Sequence, residues 1–119
     1  MSKKIVIVGA LGYLGTELCK LYSGESWFHN VVAIDSRFVS KRVNQLNEWN
    51  IKFHQGQILD KEFLNKHLND ADIVHHLAGV TDVAYVKKES NPNQDEKIKK
   101  IAIEGTNNIL GVIPQKCKI

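Results

Sequence analysis

The sequence predicts an α/β fold, a doubly wound parallel sheet with helices on both faces. Three observations predict it. The runs at 5–8 and 31–34 are β-branched and apolar with almost no break, as strands covered on both faces are. Stretches with helical spacing separate those runs from two more, at 51–54 and 72–77. Strands alternating with helices close into right-handed crossovers and a parallel sheet. Finally, three glycines stand at the first strand-to-helix junction, Gly9, Gly12 and Gly15.

Each element has its own reason. Ile5 to Val8 forms the first strand, ended by Gly9. Leu14, Leu18 and Leu21 recur at helical spacing, with Cys19 and Tyr22 beside them, so 13–23 reads as a helix that Gly24 stops. Val31 to Ile34 is the second strand and ends at Asp35. The segment 36–50 is polar and basic, with Val43 and Leu46 anchoring a short helix. Ile51 to His54 is a weaker third strand closed by Gly56. Asp60 can cap a third helix whose inner side carries Phe63, Leu64 and Leu68. Asp72 to Leu77 is the fourth strand. A loop over 78–93 holds the turn signal Asn91-Pro92. A fourth helix runs from about Gln94 to about Gly111, with Ile98, Ile101, Ile109 and Val112 as its apolar stripe. Lys118-Ile119 reads as the first step of a fifth strand.

Length and composition bound the function. The 119 residues suit one domain with a modest core. The composition is 43% hydrophobic and 24% charged, that of a soluble globular protein. A net charge of +3, with the lysines spread along the chain, argues against a nucleic-acid partner. Two cysteines make no disulfide framework, and the apolar run after Lys3-Lys4 is too short for a signal peptide or a membrane span. A cytosolic protein with no membrane partner is expected.

The segment Gly9-Ala10-Leu11-Gly12-Tyr13-Leu14-Gly15 carries the chemistry. The first glycine lets the chain turn at the strand end. The second lets backbone approach a pyrophosphate, and the third lets the helix pack on the strand. The helix N-terminus then offers N–H groups and a positive dipole end to phosphates. Asp35 lies twenty residues beyond Gly15, where a carboxylate can accept from both ribose hydroxyls of an adenosine. The pattern is that of a Rossmann-like dinucleotide site. A carboxylate repels a 2′-phosphate, so NAD is favoured over NADP, against which Arg37 and Arg42 weigh in the other direction.

On these residues the chain resembles the N-terminal part of an extended short-chain dehydrogenase/reductase, the NAD-dependent epimerase/dehydratase family. The spacing of the three glycines is that family's. Gly56-Gln57-Ile58-Leu59-Asp60 resembles its adenine-contacting segment after the third strand. His76-Leu77-Ala78-Gly79 resembles the segment that closes the fourth strand along the cofactor. Glu104-Gly105-Thr106-Asn107-Asn108-Ile109-Leu110 resembles its fourth helix. Gln57 stands where the family usually has aspartate, and Ala102 where it often has asparagine.

The resemblance implies a sheet in the order 3-2-1-4, truncated, with NAD across its strand ends. Adenosine would sit near Asp35, Ser36, Arg37, Gln57 and Ile58, and pyrophosphate at Gly12, Tyr13 and Leu14 beside Gly9, Leu11 and Gly15. Nicotinamide would lie near Leu77, Ala78 and Gly79, with Thr81 and Asp82 toward the substrate. It implies epimerisation, dehydration or reduction of a nucleotide-linked sugar by transient hydride transfer. The family's general base is a tyrosine with a lysine four residues on. Tyr13, Tyr22 and Tyr85 are followed at that distance by Glu17, Ser26 and Glu89, so no catalytic residue is assigned in this chain. Residues 1–119 are therefore expected to be an incomplete dinucleotide-binding domain that lacks later strands and the substrate domain. The alternative is a non-catalytic dinucleotide sensor or interaction module.

The remaining constellations have plainer readings. His75 and His76 point to opposite faces of a strand, and no metal-ligand spacing occurs, so no metal is expected. Cys19 reads as a small core residue, and Trp27 and Trp49 as partial core or edge cover. With no fifth strand the fourth would be an exposed apolar edge, which predicts self-association.

Overall fold

A computed structural model describes residues 2–78 and 92–119, with backbone alone at 92–95, 97 and 98. Its sheet has four parallel strands: β1 (Lys4–Val8), β2 (Asn30–Asp35), β3 (Lys52–Gln55) and β4 (Ile73–His76). Their order is β3-β2-β1-β4, as the sequence predicts. β1 lies in the middle, with Val6 opposite Val32 on one side and Val74 on the other. The chain steps outward from β1 to β2 to β3, then returns across the sheet to β4. That reversal leaves a crevice beyond the C-terminal ends of β1 and β4, where open α/β sheets bind ligands.

Among the described residues four helices fill the connections: α1 (Tyr13–Tyr22), α2 (Ser40–Glu48), α3 (Lys61–Leu68) and α4 (Pro92–Val112). Alternating strand residues feed two cores. Val6, Val8, Val32, Ile34 and Val74 pack with Leu64 and Leu68 of α3 and Ile109 of α4. Ile7, Val31 and Ala33 face the other way, onto Cys19 of α1 and Val43 and Leu46 of α2. Burying each such aliphatic side chain contributes roughly 1.5–3 kcal/mol. β1 is thus apolar at successive positions because it is roofed on both sides.

The helix ends show how local sequence sets these boundaries. Asp60 caps α3 as expected, its carboxylate accepting from the Phe63 N–H at 3.1 Å. α2 closes with Asn50 at φ 57°, and the Ile51 N–H reaches back to the Leu46 carbonyl at 2.9 Å. This Schellman-type ending seats buried Ile51 against the helix, so β3 begins one residue later than predicted, at Lys52. α1 stops at Tyr22 on Ser23, whose hydroxyl donates to the Lys20 carbonyl at 2.6 Å. Gly24 is not in a left-handed conformation and is not the stop. α4 starts at Pro92, two residues early, because proline needs no N–H partner in a first helical turn.

Two further expectations are corrected. The inner face of α1 is Gly15, Leu18, Cys19 and Tyr22, whereas Leu14 and Leu21 are exposed. Trp27 is exposed, although Trp49 does pack beside the α2 core. Lys118 takes the expected first step of a fifth strand, as one parallel bridge to Ile73. There the Val74 N–H donates to the Lys118 carbonyl at 2.8 Å and the Lys118 N–H to the Asp72 carbonyl at 3.0 Å. The side chain of Ile98, placed in the α4 stripe, lies outside the described residues, as does Asn91.

Candidate functional site

The turn after β1 is built by backbone needs that only glycine meets. Gly9 has φ +87°, and a Cβ on it would lie 2.6 Å from the Ala78 nitrogen. Its N–H donates to the Ile34 carbonyl at 2.8 Å, which ties the turn to the end of β2. A Cβ on Gly15 would fall 2.7 Å from the Ala10 Cα and collide with the Gly9 carbonyl, so α1 seats directly on the turn. Gly12 is the N-cap of α1, and no side chain caps that end. The first turn of α1 also holds no acidic residue, so its dipole end stays favourable to an anion. Tyr13 and Leu14, both predicted site residues, are exposed here at 83% and 66%.

Asp35 ends β2 beside this turn and is 5% exposed. One carboxylate oxygen, Oδ2, accepts from the Leu11 N–H at 2.9 Å and from Arg37 Nη2 at 3.2 Å. The other, Oδ1, accepts from the Arg37 N–H at 3.0 Å and Arg37 Nε at 3.1 Å. Burial pushes the Asp35 pKa up, but the Arg37 side chain and the Arg37 and Leu11 N–H groups outweigh it and hold the carboxyl below its usual value. Arg42 of α2 donates to the Leu11 carbonyl. Leu11 is thereby held at both its backbone polar groups, one by the acid and one by a base. The Asp35–Leu11 bond aligns the β2 end with the glycine turn. That bond, and Arg42's contact, are not legible from spacing alone.

These elements wall a cleft of about 440 Å³ at the C-terminal ends of the strands. Of the predicted site residues, Gly9, Asp35, Ser36, Arg37, Gln57, Ile58, Leu77 and Ala78 line it. Leu11, Gly12, Tyr13, Leu14 and Gly15 lie outside its lining, in the turn and the start of α1. Val8, Ile34, Gly56, Leu59 and Ile101 also line it. Ile101 reads in the sequence as a packing residue of the fourth helix, and nothing in its spacing marks it as cleft wall. Gly79, Thr81 and Asp82 lie outside the described residues.

α4 holds the segment around Ile58 in place. Asn108 Nδ2 donates to the Ile58 carbonyl at 3.0 Å, and a Cβ on Gly105 would collide with the Ile58 side chain. On the same helix the Thr106 hydroxyl meets His76 Nε2 at 2.9 Å. His75, on the opposite face of β4, meets the Tyr22 hydroxyl at 2.8 Å. The two histidines thus serve different helices, as their alternation requires. Burial lowers the pKa of both. Cys19 is buried and its thiol pKa is pushed up to about 12, which keeps it protonated. No helix among the described residues is long and apolar enough to cross a membrane.

Comparison with known proteins agrees with this geometry. An uncharacterized protein, 052L, of Frog virus 3 is 30% identical over 110 residues, which cover 90% of this chain and 28% of that protein. A dTDP-D-glucose 4,6-dehydratase of Dictyostelium discoideum is 32% identical over 94 residues, covering 74% of this chain and 22% of the dehydratase. The chain thus spans about a quarter of the length of these relatives. A UDP-glucose-4-epimerase structure from Stenotrophomonas maltophila, with bound NAD and formylated UDP-arabinopyranose, superposes with a TM-score of 0.71 at 22% identity. The match covers 92% of this chain and 33% of the epimerase. A dTDP-glucose 4,6-dehydratase structure from Bacillus anthracis in complex with NAD gives 0.68 at 16% identity, covering 92% and 33%. At those identities the structures show a shared fold. The expected resemblance to NAD-dependent epimerases and dehydratases stands. The profile of the 3-beta hydroxysteroid dehydrogenase/isomerase family matches residues 6–117, and the chain belongs to that family.

Proposed function

We propose that residues 1–119 are the NAD-binding portion of an epimerase/dehydratase-like enzyme that acts on a nucleotide-linked sugar by transient hydride transfer. The observation that carries this reading is the joining of two features in one cleft. A glycine turn with a left-handed Gly9 meets a buried Asp35 at the strand ends. The residues fit the cofactor. Gly12 has only the Gly9 carbonyl and an Arg37 nitrogen near the position of a Cβ, at 3.4 and 3.5 Å, so backbone is open to close approach. The Gly12 N–H donates within the turn to the Gly9 carbonyl at 3.3 Å, so the N–H groups of Tyr13 and Leu14 at the start of α1 would hold the diphosphate. Asp35 would accept from the adenosine ribose, with Ile58 and Gln57 beside the adenine and Leu77 and Ala78 leading toward the nicotinamide.

Bound NAD supplies a hydride acceptor. The chain's own residues bind and orient it. These 119 residues hold no Tyr-x-x-x-Lys, so the proposal assigns them cofactor binding and no proton transfer. The sugar-nucleotide substrate is supported by the relative at 32% identity, a dTDP-D-glucose dehydratase. The family's own description supports a second substrate class, a hydroxysteroid, on the same cofactor half. The reading is tested by isothermal titration of the 119-residue chain with NAD. Saturable heat with one site per chain is expected. No heat at millimolar NAD contradicts it.

A further inference from the structure

We propose that the sheet end opposite the cleft is a docking surface for an anionic membrane, with Trp27 and Phe28 entering the lipid interface and a phosphate headgroup seated beside Lys52. The inference does not depend on the dinucleotide reading. It starts from an anchored turn. Ser26, between α1 and β2, is 4% exposed. Its hydroxyl is shared between the Ser23 carbonyl at 3.1 Å and the Trp49 carbonyl, and its own carbonyl accepts from Asn50 Nδ2 at 3.0 Å. The Phe28 and His29 N–H groups close the turn on the Glu25 carbonyl at 3.0 and 2.8 Å. The backbone is thereby tied down, yet the next two side chains, Trp27 and Phe28, are 79% and 61% exposed. Adjacent aromatic side chains held outward on a fixed turn form an apolar patch of the kind that marks a binding surface.

Beside Phe28 lies a cavity of about 280 Å³. Ser2, His29, Asn30, Asn50 and Lys52 line it with Phe28, and no carboxylate does. His29 Nδ1 accepts the Lys3 N–H at 3.0 Å, so the neutral ring carries its proton on Nε2 and can donate from there. The Lys52 ammonium forms no ion pair with a carboxylate among the described residues. Ammonium, amide, hydroxyl and imidazole donors together suit a phosphate. Glu25, the acid of the turn, is not in the lining, and Asp70 at the same sheet end is paired with Lys4 at 2.6 Å.

The joining of these two features selects the occupant. A free phosphate would fill the cavity and leave Trp27 and Phe28 in water. An apolar protein patch would cover the aromatics and leave Lys52 without a counter-charge. A bilayer surface rich in anionic lipid meets both, because aromatic rings favour the headgroup boundary and lysines are drawn to anionic leaflets. Asn30 and Lys52 begin β2 and β3, so this surface lies at the N-terminal ends of the strands, away from the cleft. A docked chain would keep the cleft open to water. Such a contact lies on the membrane and needs no spanning segment.

The test is sedimentation of the 119-residue chain with vesicles of phosphatidylcholine, with and without phosphatidylserine, read together with tryptophan emission. Trp49→Phe leaves Trp27 as the one tryptophan, and acrylamide quenching of the native chain gives a second reading of the exposed indole. Binding to phosphatidylserine vesicles, with Trp27 emission shifted to the blue and shielded from acrylamide, is expected, and neither effect with phosphatidylcholine alone. Phe28→Ser should weaken the partition about ten-fold and Lys52→Gln about five-fold. Both side chains are exposed, so circular dichroism should stay native. Equal binding to both vesicles, binding to neither, binding without a change at Trp27, or folded variants within two-fold of native overturns the proposal. So does the same Trp27 change with soluble glycerophosphoserine, which would mark a small-molecule site. A Trp27 change with rising protein concentration and no lipid would mark an interface between copies and overturns it too.

Discussion

Replacing Gly9 with alanine puts a methyl group where the backbone has no room for it. Gly9 has φ +87°, a conformation that costs an L-residue about 1–2 kcal/mol. The added Cβ would also sit 2.6 Å from the Ala78 nitrogen, 2.7 Å from the Leu77 carbonyl carbon and 2.9 Å from the Ala78 Cα. All three are backbone atoms at the end of β4, so no rotamer relieves the clash. Overpacking of this kind costs about 1–3 kcal/mol. Gly9→Ala should therefore lose about 2–5 kcal/mol, a large share of the roughly 5–15 kcal/mol that holds such a domain together. Gly12→Ala is the matched control. Gly12 has φ −73° and ψ 174°, which any residue adopts, and its nearest neighbour to a Cβ is the Gly9 carbonyl at 3.4 Å. Its stability should stay within about 1 kcal/mol of the native chain. Urea unfolding followed by circular dichroism measures both. A Gly9→Ala midpoint indistinguishable from native, or equal losses in the two variants, refutes the reasoning.

Two other outcomes are expected. Stability should fall on acidification in two windows. His54 and His67 stack with ring centroids 4.2 Å apart. Burial first, then the neighbouring Lys4 and Lys66 and, for His67, His54 itself, lower their pKa values from 6.5. The unfolded chain then binds protons that the folded chain does not, so stability is full above pH 6.5 and falls below it. The lowered Asp35 pKa keeps its contribution intact above about pH 3.8 and loses it below. Urea midpoints from pH 8 to pH 3 should show both, and a flat midpoint between pH 7 and pH 5 contradicts the first. Separately, the outer edge of β4 carries a single bridge, at Ile73, among the described residues. Concentration-dependent association in sedimentation velocity is the expected consequence, and a strict monomer at high concentration counts against it.

β1 and β2 were legible because central parallel strands must be apolar on both faces, whereas the strand order followed from the family resemblance. Ile5 to Val8 could belong nowhere else in a chain of this polarity. The α1 face was misread for a physical reason. The spacing of large apolar residues picked out Leu14 and Leu21 with Leu18, yet those two are exposed and the closest approach to the turn is made by Gly15, whose lack of a side chain lets the helix reach it. A pattern that scores bulk overlooks a face built on close approach. The turn and Asp35 were legible as a pair since each needs a residue type that chemistry restricts. The grip of Arg37 on Asp35 was not legible, because it depends on a side-chain conformation. Its sequence position two residues on shows proximity and nothing of the bond. Ile101 reaches the cleft only through the crossing of α4 over the sheet end, which no local pattern records.

The central claim is that a dinucleotide occupies the cleft between the glycine turn and the ends of β2 and β4. The most direct measurement is an amide NMR titration of the chain with NAD. Saturable shifts concentrated at Gly9, Leu11, Gly12, Asp35, Arg37, Ile58 and Ala78, with the opposite sheet end around Ser26 and Asn50 unmoved, are the predicted result. Shifts absent at millimolar NAD, or centred away from the turn, would contradict it.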